Sequence, residues 1–477
     1  MIKKVHFKKN RRFSSVNGCD TIEKNEARCK TMHLSDMNLQ ELIRPEGHAC
    51  VCGRHHGIGL KYLRIGSGAV ENLPEGFKVL GCKRPFIVCD RDTKKAAWHF
   101  VQPVLENAGI GYVLYAIHRT HPEPDEETVG EITMAFDPGC DCILAVGSGV
   151  INDCCKVLAR AVGKPQLVVG TAPSMDGYAS DSSSMIVGRA KTTLYNACPQ
   201  VIIADTRIMK DAPIRMLQAG LGDMLAKYIA LCEWRMTALI NGEYYCEEIA
   251  GMMRASLQKI VSSAPRMMER DEDAIAAVAE GLILSGIAMA FAKISRPASG
   301  LEHYFSHLWE MFSLDRGLPT ELHGIQVGVG TLLCLKMYEK LKKMKPEEQS
   351  FTAACAAWNE EIWAAEMRRI FGSTAEGLID KENNQWHNND APSRRHRFEK
   401  IQSCWPQLQQ IMAEELPPLR SIAQLMRELK MPMHPEELGW SRQDVLDAFV
   451  YSRNTRDKYL TSSLLWDMGM LNDRMLS

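Results

Sequence analysis

Between residues 36 and 210, short apolar runs alternate with stretches of helical spacing. The runs PFIVCD (85–90) and CILAVGSG (142–149) are typical of buried strands, and an amphipathic stretch follows each of them. Strands that alternate with helices predict a parallel sheet wound by crossover connections. Further strands are predicted at 111–117, 166–174 and 200–205. The first half of the chain therefore predicts an α/β domain.

After residue 211 the strand pattern fades, and helical periodicity takes over. Helices are predicted over 212–236, 244–263, 272–295 and 325–343. Residues 380–397 (DKENNQWHNNDAPSRRHR) are polar and predict a surface loop. The pattern indicates an all-α domain over residues 211–477.

Residues 1–35 differ from the rest of the chain, because residues 1–31 carry nine Lys or Arg against three Asp or Glu and little apolar periodicity. This composition predicts a disordered basic extension.

Bulk composition excludes several classes of protein. A net charge of -1 over 477 residues predicts no nucleic-acid partner. No uninterrupted apolar run reaches the ~18 residues of a membrane span, and no signal-peptide pattern is present. The 16 cysteines are scattered, as in proteins with reduced thiols, so we expect a cytoplasmic location.

The segment AVGSGVINDCCKVLARA (145–161) joins a predicted strand to a helix through Gly147 and Gly149. Glycines at such a turn let backbone N–H groups approach a phosphate, and the helix start favours negative charge. The spacing is not the usual GxGxxG, so a tight turn without a ligand is the alternative interpretation.

The segment GTAPSMDGYASDSS (170–183) places small polar residues directly after a predicted strand. Ligands of open α/β sheets bind at the carboxyl ends of strands. Thr171, Ser174 and Ser180 could therefore contact a cofactor, and Asp176 could accept a hydrogen bond from a substrate hydroxyl. A solvated loop with Asp176 capping a turn is the alternative.

Asp223 follows small residues in QAGLGDMLAKY (218–228), and three histidines lie further along. His303 and His307 are four residues apart, hence on one helical face, and His323 begins another apolar stretch. Carboxylate and imidazole ligands suit Zn, Ni or Fe, and catalytic metals commonly have three protein ligands. A helix cap for Asp223 and simple packing of the histidine pair are the alternatives.

The segment CVCGRHH (50–56) holds two cysteines and two histidines. It could bind a structural metal, but the C-x-C spacing is too tight for an ordinary zinc finger, and no second pair of ligands is evident nearby.

The five segments GSGVIND, GTAPSMDGYAS, AGLGDMLAKY, SGLEHYFSH and LHGIQVGVG occur in this order. Together they resemble the family of iron-type alcohol dehydrogenases, glycerol dehydrogenases and dehydroquinate synthases. APSMDGYAS and RDKYLTSSLLWDMGML (456–471) are most similar to the sn-glycerol-1-phosphate dehydrogenase branch. The resemblance extends from about residue 36 to the end of the chain.

The resemblance implies a Rossmann-like domain over 36–210, a helical metal- and substrate-binding domain over 211–477, and an active site in the cleft between them. By resemblance, the catalytic and metal-binding residues are Asp223, His303 and His323. Substrate contacts are implied for Asp176, Asp223 and His307. The implied cofactor contacts are Asp90, Gly147, Gly149, Val150, Ile151, Asn152, Asp153, Thr171, Ala172, Pro173, Ser174 and Ser180.

The implied reaction is a metal-dependent, NAD- or NADP-linked interconversion of dihydroxyacetone phosphate and sn-glycerol 1-phosphate by a homodimer. The metal is expected to be zinc or nickel, with iron as a third candidate. Charge and nearness in sequence make Lys293 and Arg296 candidates for the substrate phosphate. Three alternatives remain open: a dehydroquinate synthase-like lyase, a dehydrogenase of an unphosphorylated polyol, and a non-catalytic protein that binds metal and nucleotide.

Overall fold

The computed structural model describes residues 33–188 and 190–476. The predicted disorder of residues 1–35 therefore lies almost wholly outside the described residues. Residues 33–35 belong to the folded part, because Leu34 is buried and its N–H donates to Glu248 at 3.0 Å.

A parallel six-stranded sheet forms the first half of the molecule. Its strand order is β3-β10-β7-β6-β4-β5, and two antiparallel hairpins, β1-β2 and β8-β9, accompany it. The strands are β1 (His48–Ala49), β2 (His55–His56), β3 (Tyr62–Gly66), β4 (Pro85–Cys89), β5 (Val113–Ala116), β6 (Cys142–Gly147), β7 (Gln166–Gly170), β8 (Ser182–Val187), β9 (Ala190–Tyr195) and β10 (Val201–Asp205).

All five predicted strands are present, and the α/β prediction for this half is confirmed. Strands β4, β6, β7 and β10 are buried along their whole length, which is why they appear in the sequence as apolar runs. Strand β3 was not predicted, because it is a half-buried edge strand whose apolar run is interrupted by Arg64. Hairpin β8-β9 was missed because it is rich in polar residues.

Helices cover the sheet and form nearly all of the second half. Those of the first half are α1 (Leu39–Leu42), α2 (Leu73–Leu80), α3 (Arg91–Asn107), α4 (Glu126–Ala135) and α5 (Gly149–Val162). Those after the sheet are α6 (Thr206–Met209), α7 (Ile214–Leu225), α8 (Lys227–Asn241), α9 (Glu247–Ser263), α10 (Glu272–Ala292), α11 (Leu301–Arg316), α12 (His323–Leu341), α13 (Glu348–Ala356), α14 (Glu360–Phe371), α15 (Ala375–Lys381), α16 (Ala391–Glu415), α17 (Leu419–Glu428), α18 (Arg442–Tyr451) and α19 (Thr461–Asp467).

The predicted surface loop at 380–397 is wrong. Helix α15 continues into a π-helical turn over Glu382–Trp386, and α16 begins at Ala391. The segment is polar because its arginines have buried partners far along the chain: Arg397 donates to Asp467 at 2.6 Å, and Arg394 is buried. The polar composition of this segment therefore predicted a loop where the structure has the packed start of α16.

Helix α10 has the length and apolar composition of a membrane-crossing helix, although its sequence contains no uninterrupted apolar run of that length. In the folded protein, 78% of its most apolar window is buried. This burial is typical of a core helix, and α10 packs mainly against α9 and α7.

Candidate active site

A cavity of about 890 Å³ lies between the carboxyl ends of the sheet strands and the helices that follow. The sheet side contributes Gly149 and the loop Met175–Gly177, and the helical side contributes His303, His307 and His323. Because the carboxyl ends of parallel strands are the usual ligand side of an open sheet, this position favours a cofactor-binding cleft.

Three glycine contacts position helix α7: two of them pack it against α12, and the third packs it against the loop after β7. A Cβ on Gly222 of α7 would lie 2.1 Å from the Gly324 carbonyl oxygen of α12, and a Cβ on Gly324 would lie 1.9 Å from that of Ala219. A Cβ on Gly220 would lie 1.8 Å from the oxygen of Pro173. The small residues before Asp223 therefore allow α7 to make close backbone-to-backbone contacts.

The contact between α7 and α12 places Asp223 of α7 beside His323, the first residue of α12. Helix α11 contributes His303 to the same place. One ligand atom from each of the three residues lies within 4.8 Å of the others, and His303 Nε2 is 3.3 Å from Asp223 Oδ1. Asp223 and His303 are buried, whereas His323 is partly exposed toward the cavity. We call these three residues the cleft cluster.

The second nitrogen of each imidazole is occupied by a neighbouring acceptor. His303 Nδ1 lies 2.8 Å from Glu302 Oε1, and His323 Nδ1 lies 3.1 Å from Glu310 Oε1. A carboxylate that accepts a hydrogen bond from one nitrogen of a metal-ligating histidine fixes the tautomer of the ring. In both residues this leaves the lone pair of Nε2 free to bind a metal. Two imidazole nitrogens and one carboxylate oxygen converging in this way fit a catalytic divalent metal with an open position.

Lys227 is a residue of this site that the sequence analysis missed. Its buried ammonium donates to Asp223 Oδ1 at 3.0 Å, Asp176 Oδ2 at 2.8 Å and the Ala298 oxygen at 3.0 Å. Burial alone would lower its pKa, but the two carboxylates raise it above its usual value. The available signal was the i,i+4 spacing of Asp223 and Lys227 within the helix predicted over 212–236, which the structure divides into α7 and α8.

Asp176 and His307 both line the cavity beside the cleft cluster. Asp176 accepts hydrogen bonds at Oδ2 from Ser285 and Lys227, both at 2.8 Å, and its N–H donates to Asp223 Oδ2 at 2.9 Å. Burial lowers the pKa of His307 to about 3, so its imidazole is neutral. The structure thus brings together the three residues predicted for the metal and the three predicted for the substrate hydroxyl groups, namely Asp176, Asp223, His303, His307 and His323, with Asp223 in both sets.

The predicted cofactor turn joins β6 to α5, and it is tightly packed. A Cβ on Gly147 would lie 2.6 Å from Ile151, and one on Gly149 would lie 3.3 Å from Met175. Gly149, Asp153 and Ser180 line the cavity. The turn therefore presents backbone N–H groups at the start of a 14-residue helix.

The other predicted cofactor residues occupy supporting positions. Asn152 is buried and hydrogen bonds to Gly177 and Gln166, and Asp90 caps α3 through the Thr93 N–H at 2.7 Å. Val150 is half-buried in the first turn of α5. Thr171, Ala172, Pro173 and Ser174 are buried behind the cavity wall.

Lys156, which the sequence analysis also missed, connects the residues on the side of the cavity next to the β8-β9 hairpin. Its buried ammonium donates to the Gly177 oxygen at 2.6 Å and the Ser182 oxygen at 2.9 Å, and it contacts Asp153 at 3.2 Å and Ser180 at 3.2 Å. The side chains of Asp153 and Ser180 are therefore held in a fixed arrangement at the cavity edge.

Three cationic residues line the cavity: Lys191, Lys293 and Arg456. Lys191 pairs with Glu310, and Arg456 donates to Thr193 Oγ1 at 3.2 Å. Arg296 instead is buried and donates to both Glu243 oxygens at 2.7 and 2.6 Å. Of the two residues expected to meet a phosphate, Lys293 is beside the cavity and Arg296 is engaged elsewhere.

Comparison with known proteins matches this chain to one family. A family profile described as iron-containing alcohol dehydrogenase matches residues 64–213. A glycerol-1-phosphate dehydrogenase (NAD(P)+) from Halalkalibacterium halodurans is 33% identical over 302 residues, which cover 62% of this chain and 76% of that protein. A protein of the same name from Bacillus licheniformis is 28% identical over 427 residues, 89% of this chain and 93% of that protein.

Solved structures share the fold at much lower identity. Maleylacetate reductase from Rhizobium sp. strain MTP-10005 aligns with a TM-score of 0.55 and 16% identity, over 86% of this chain and 95% of that one. Glycerol dehydrogenase from Schizosaccharomyces pombe aligns with a TM-score of 0.55 and 15% identity, over 87% and 89%. These similarities confirm the predicted fold class.

Proposed function

The chain belongs to the glycerol-1-phosphate dehydrogenases of the iron-containing alcohol dehydrogenase family, and we propose that it interconverts dihydroxyacetone phosphate and sn-glycerol 1-phosphate. It is an oxidoreductase that uses a nicotinamide cofactor and a metal. The observation that carries the proposal is that Asp223, His303 and His323 lie together, and that His303 and His323 line the same cavity as Gly149 of the glycine turn.

Asp223, His303 and His323 would hold one divalent metal, which supplies Lewis-acid polarisation of the substrate oxygen when it is bound. Zinc and nickel are the proposed metals, with iron as the third, because imidazole and carboxylate ligands accept all three. Glu302 and Glu310 orient the two imidazoles from behind.

Asp176 and His307 are proposed to handle the substrate hydroxyl groups. Lys227 and Ser285 both donate to Oδ2 of Asp176, so its other oxygen can accept a hydrogen bond from the substrate. His307 is a neutral imidazole on the cavity wall, and its two ring nitrogens can donate one hydrogen bond to a substrate oxygen and accept another from a substrate hydroxyl.

The substrate phosphate is proposed to meet Lys191, Lys293 and Arg456. A phosphate dianion needs charge-assisted hydrogen bonds when it leaves water, and these three residues supply the cationic lining of the cavity. This lining supports a phosphorylated substrate over a free polyol.

The cofactor pyrophosphate is proposed to bind at the Gly147–Gly149 turn, where the N–H groups at the start of α5 are available. The proposed cofactor is NAD or NADP, and Asp90 would favour NAD by accepting a hydrogen bond from a ribose hydroxyl. A homodimer in the cytoplasm remains a prediction.

The deciding experiment is a reduction assay with dihydroxyacetone phosphate, dihydroxyacetone and glyceraldehyde 3-phosphate, with the chirality of the product determined. We expect net NADH or NADPH oxidation with dihydroxyacetone phosphate and sn-glycerol 1-phosphate as the product. Chelation should abolish the activity, and nickel or zinc should restore it. Preference for dihydroxyacetone, or tight NADH binding without turnover on any of the three, would reject the proposal.

A further inference from the structure

A second group of metal-ligating side chains lies on the β1-β2 hairpin, outside the cleft cluster. Cys50 and Cys52 occupy the hairpin turn, and His56 ends β2. The turn is closed by hydrogen bonds from Cys50 N–H to the Arg54 oxygen at 3.1 Å and from Gly53 N–H to the Cys50 oxygen at 3.0 Å. Gly53 has a φ of 82°, which allows this tight reversal.

The fourth member of the group is Cys246, which caps the start of α9 and lies 190 residues after His56 in the chain. Its Sγ is 3.7 Å from Cys50 Sγ and 3.7 Å from His56 Nε2. Cys52 Sγ is 3.4 Å from His56 Nε2. All four ligand atoms lie within 4.8 Å of one another. We call Cys50, Cys52, His56 and Cys246 the cysteine cluster.

These separations agree with a tetrahedral zinc site. Zinc binds thiolate sulfur at about 2.3 Å and imidazole nitrogen at about 2.0 Å, so a tetrahedron places sulfurs about 3.8 Å apart and sulfur and nitrogen about 3.5 Å apart. The three separations above lie between 3.4 and 3.7 Å. Four protein ligands fill the coordination sphere, as in structural rather than catalytic sites.

The histidine has the orientation of a metal ligand. His56 is buried, and its Nδ1 lies 3.0 Å from the Phe291 oxygen, which accepts a hydrogen bond from that nitrogen. The ring also stacks on Phe291 at a centroid distance of 5.5 Å. Since Nδ1 carries the proton, the Nε2 lone pair points toward the three sulfurs.

The surroundings can balance the charge of three thiolates. The Arg54 guanidinium lies 3.3 Å from the centre of the Tyr244 ring, and the hydroxyl of Tyr244 is 3.3 Å from Cys52 Sγ. Cys246 is at a helix N-terminus, where negative charge is stabilised.

We propose that Cys50, Cys52, Cys246 and His56 bind a structural zinc ion, separate from the metal of the cleft cluster. The ion would connect the β1-β2 hairpin to the start of α9. His56 would also connect it to the end of α10, through its hydrogen bond to the Phe291 oxygen. Gly57, Ile58 and Gly59 follow His56 directly and line the active-site cavity. The zinc would therefore hold one wall of the cavity in place.

The first test is metal analysis of the full-length protein produced with zinc in the medium and then dialysed. We expect about two metal equivalents per chain in the wild type and about one in His303→Ala, which removes a ligand of the cleft cluster. X-ray absorption of the zinc left in His303→Ala should show three sulfur ligands and one nitrogen. A first shell of nitrogen and oxygen only, or no zinc left in that variant, would overturn the proposal.

The second test compares Cys52→Ser and Cys246→Ser with Cys355→Ser, a half-buried cysteine outside the cluster. Each cluster variant should lose one zinc equivalent and unfold at lower temperature, whereas Cys355→Ser should keep both metals. If a cluster variant fails to fold, the absorption measurement decides instead. Peptide mapping of fresh protein that finds Cys50 and Cys246 joined as a disulfide would also refute the zinc site.

Discussion

The cleft cluster and the cysteine cluster differ in what surrounds their donor atoms. The cleft cluster has one carboxylate and two imidazoles, with Glu302 and Glu310 behind the imidazoles and an open cavity in front. The cysteine cluster has three sulfurs and one imidazole, with a backbone carbonyl behind the imidazole. A site with oxygen and nitrogen ligands and an open coordination position is typical of a catalytic metal. A site whose coordination positions are all filled by protein ligands, most of them sulfur, is typical of a structural metal.

The two clusters also differ in the groups that lie beside their negatively charged ligands. Asp223 of the cleft cluster lies against the buried ammonium of Lys227, and its pKa is lowered by that cation despite complete burial. The cysteine cluster instead lies beside the start of α9 and beside Tyr244, whose ring contacts the Arg54 guanidinium. A fixed cation beside the cleft carboxylate keeps it ionised, which is the form of a carboxylate that binds a metal ion.

The largest predicted effect separates the two clusters directly. His303→Ala should reduce kcat/KM for dihydroxyacetone phosphate by at least about 10²–10³-fold, because an electrostatic stabiliser of the developing oxyanion is lost. The cleft metal should leave with the activity, while the zinc of the cysteine cluster stays. Activity assays and metal analysis on the same sample measure both losses.

His121→Ala, which removes an exposed histidine, is the matched control and should keep full activity and both metals. A His303→Ala enzyme with wild-type activity and metal content would show that the cleft cluster is not the catalytic centre.

The sheet was predictable because its signals are local. Buried strands such as β4 and β6 require continuous apolar side chains, and five strands followed from that pattern alone. The three residues of the cleft cluster came from a resemblance carried by ordered motifs, and the structure brings them together.

The rest depended on contacts between distant parts of the chain. Cys246 supplies the fourth ligand of the cysteine cluster from 190 residues beyond His56, so the hairpin motif looked incomplete in the sequence. Arg397 finds its partner at Asp467, and a polar segment was therefore mistaken for a loop. The local composition of a segment does not show which distant residue will contact it in the folded protein.

The contact between α7 and α12 offers a way to disturb only the cleft cluster. Gly324→Ala would place a Cβ 1.9 Å from the Ala219 carbonyl oxygen, and a backbone atom cannot rotate away. We expect about 1–3 kcal/mol of destabilisation from overpacking. Displacing His323 by about 1 Å should lower kcat by about 10²-fold. Thermal unfolding and steady-state kinetics measure the two effects.

Gly251→Ala is the control for Gly324→Ala, because it lies in α9 and its Cβ would meet no atom within 4 Å. It should stabilise the protein by about 0.5–1 kcal/mol, since alanine is the better helix residue. Equal behaviour of the two variants would contradict the role of close helix packing in placing His323.

Glu302→Gln tests the carboxylate behind the cleft histidine. Glu302 lies 2.8 Å from His303 Nδ1, and its loss should weaken metal binding at the cleft cluster by about 10–100-fold. Activity should return at high metal concentration, which distinguishes weak binding from a damaged fold. Glu361→Gln, an exposed change on α14, should leave the metal titration as in the wild type. An unchanged titration for Glu302→Gln would argue against any role for this carboxylate in metal binding.

The smallest predicted effect concerns the cation beside the cysteine cluster. The Arg54 guanidinium interacts with the Tyr244 ring, and such contacts contribute about 0.5–1 kcal/mol at exposed sites. Arg54→Gln should therefore weaken zinc retention by less than about tenfold, because tenfold corresponds to 1.4 kcal/mol. Arg64→Gln removes a similar contact with Tyr62 in strand β3, which supplies no member of the cysteine cluster, and its zinc retention in a chelator competition should match the wild type. If both variants retain zinc equally well, the charge balance of the cysteine cluster comes from the start of α9 rather than from Arg54.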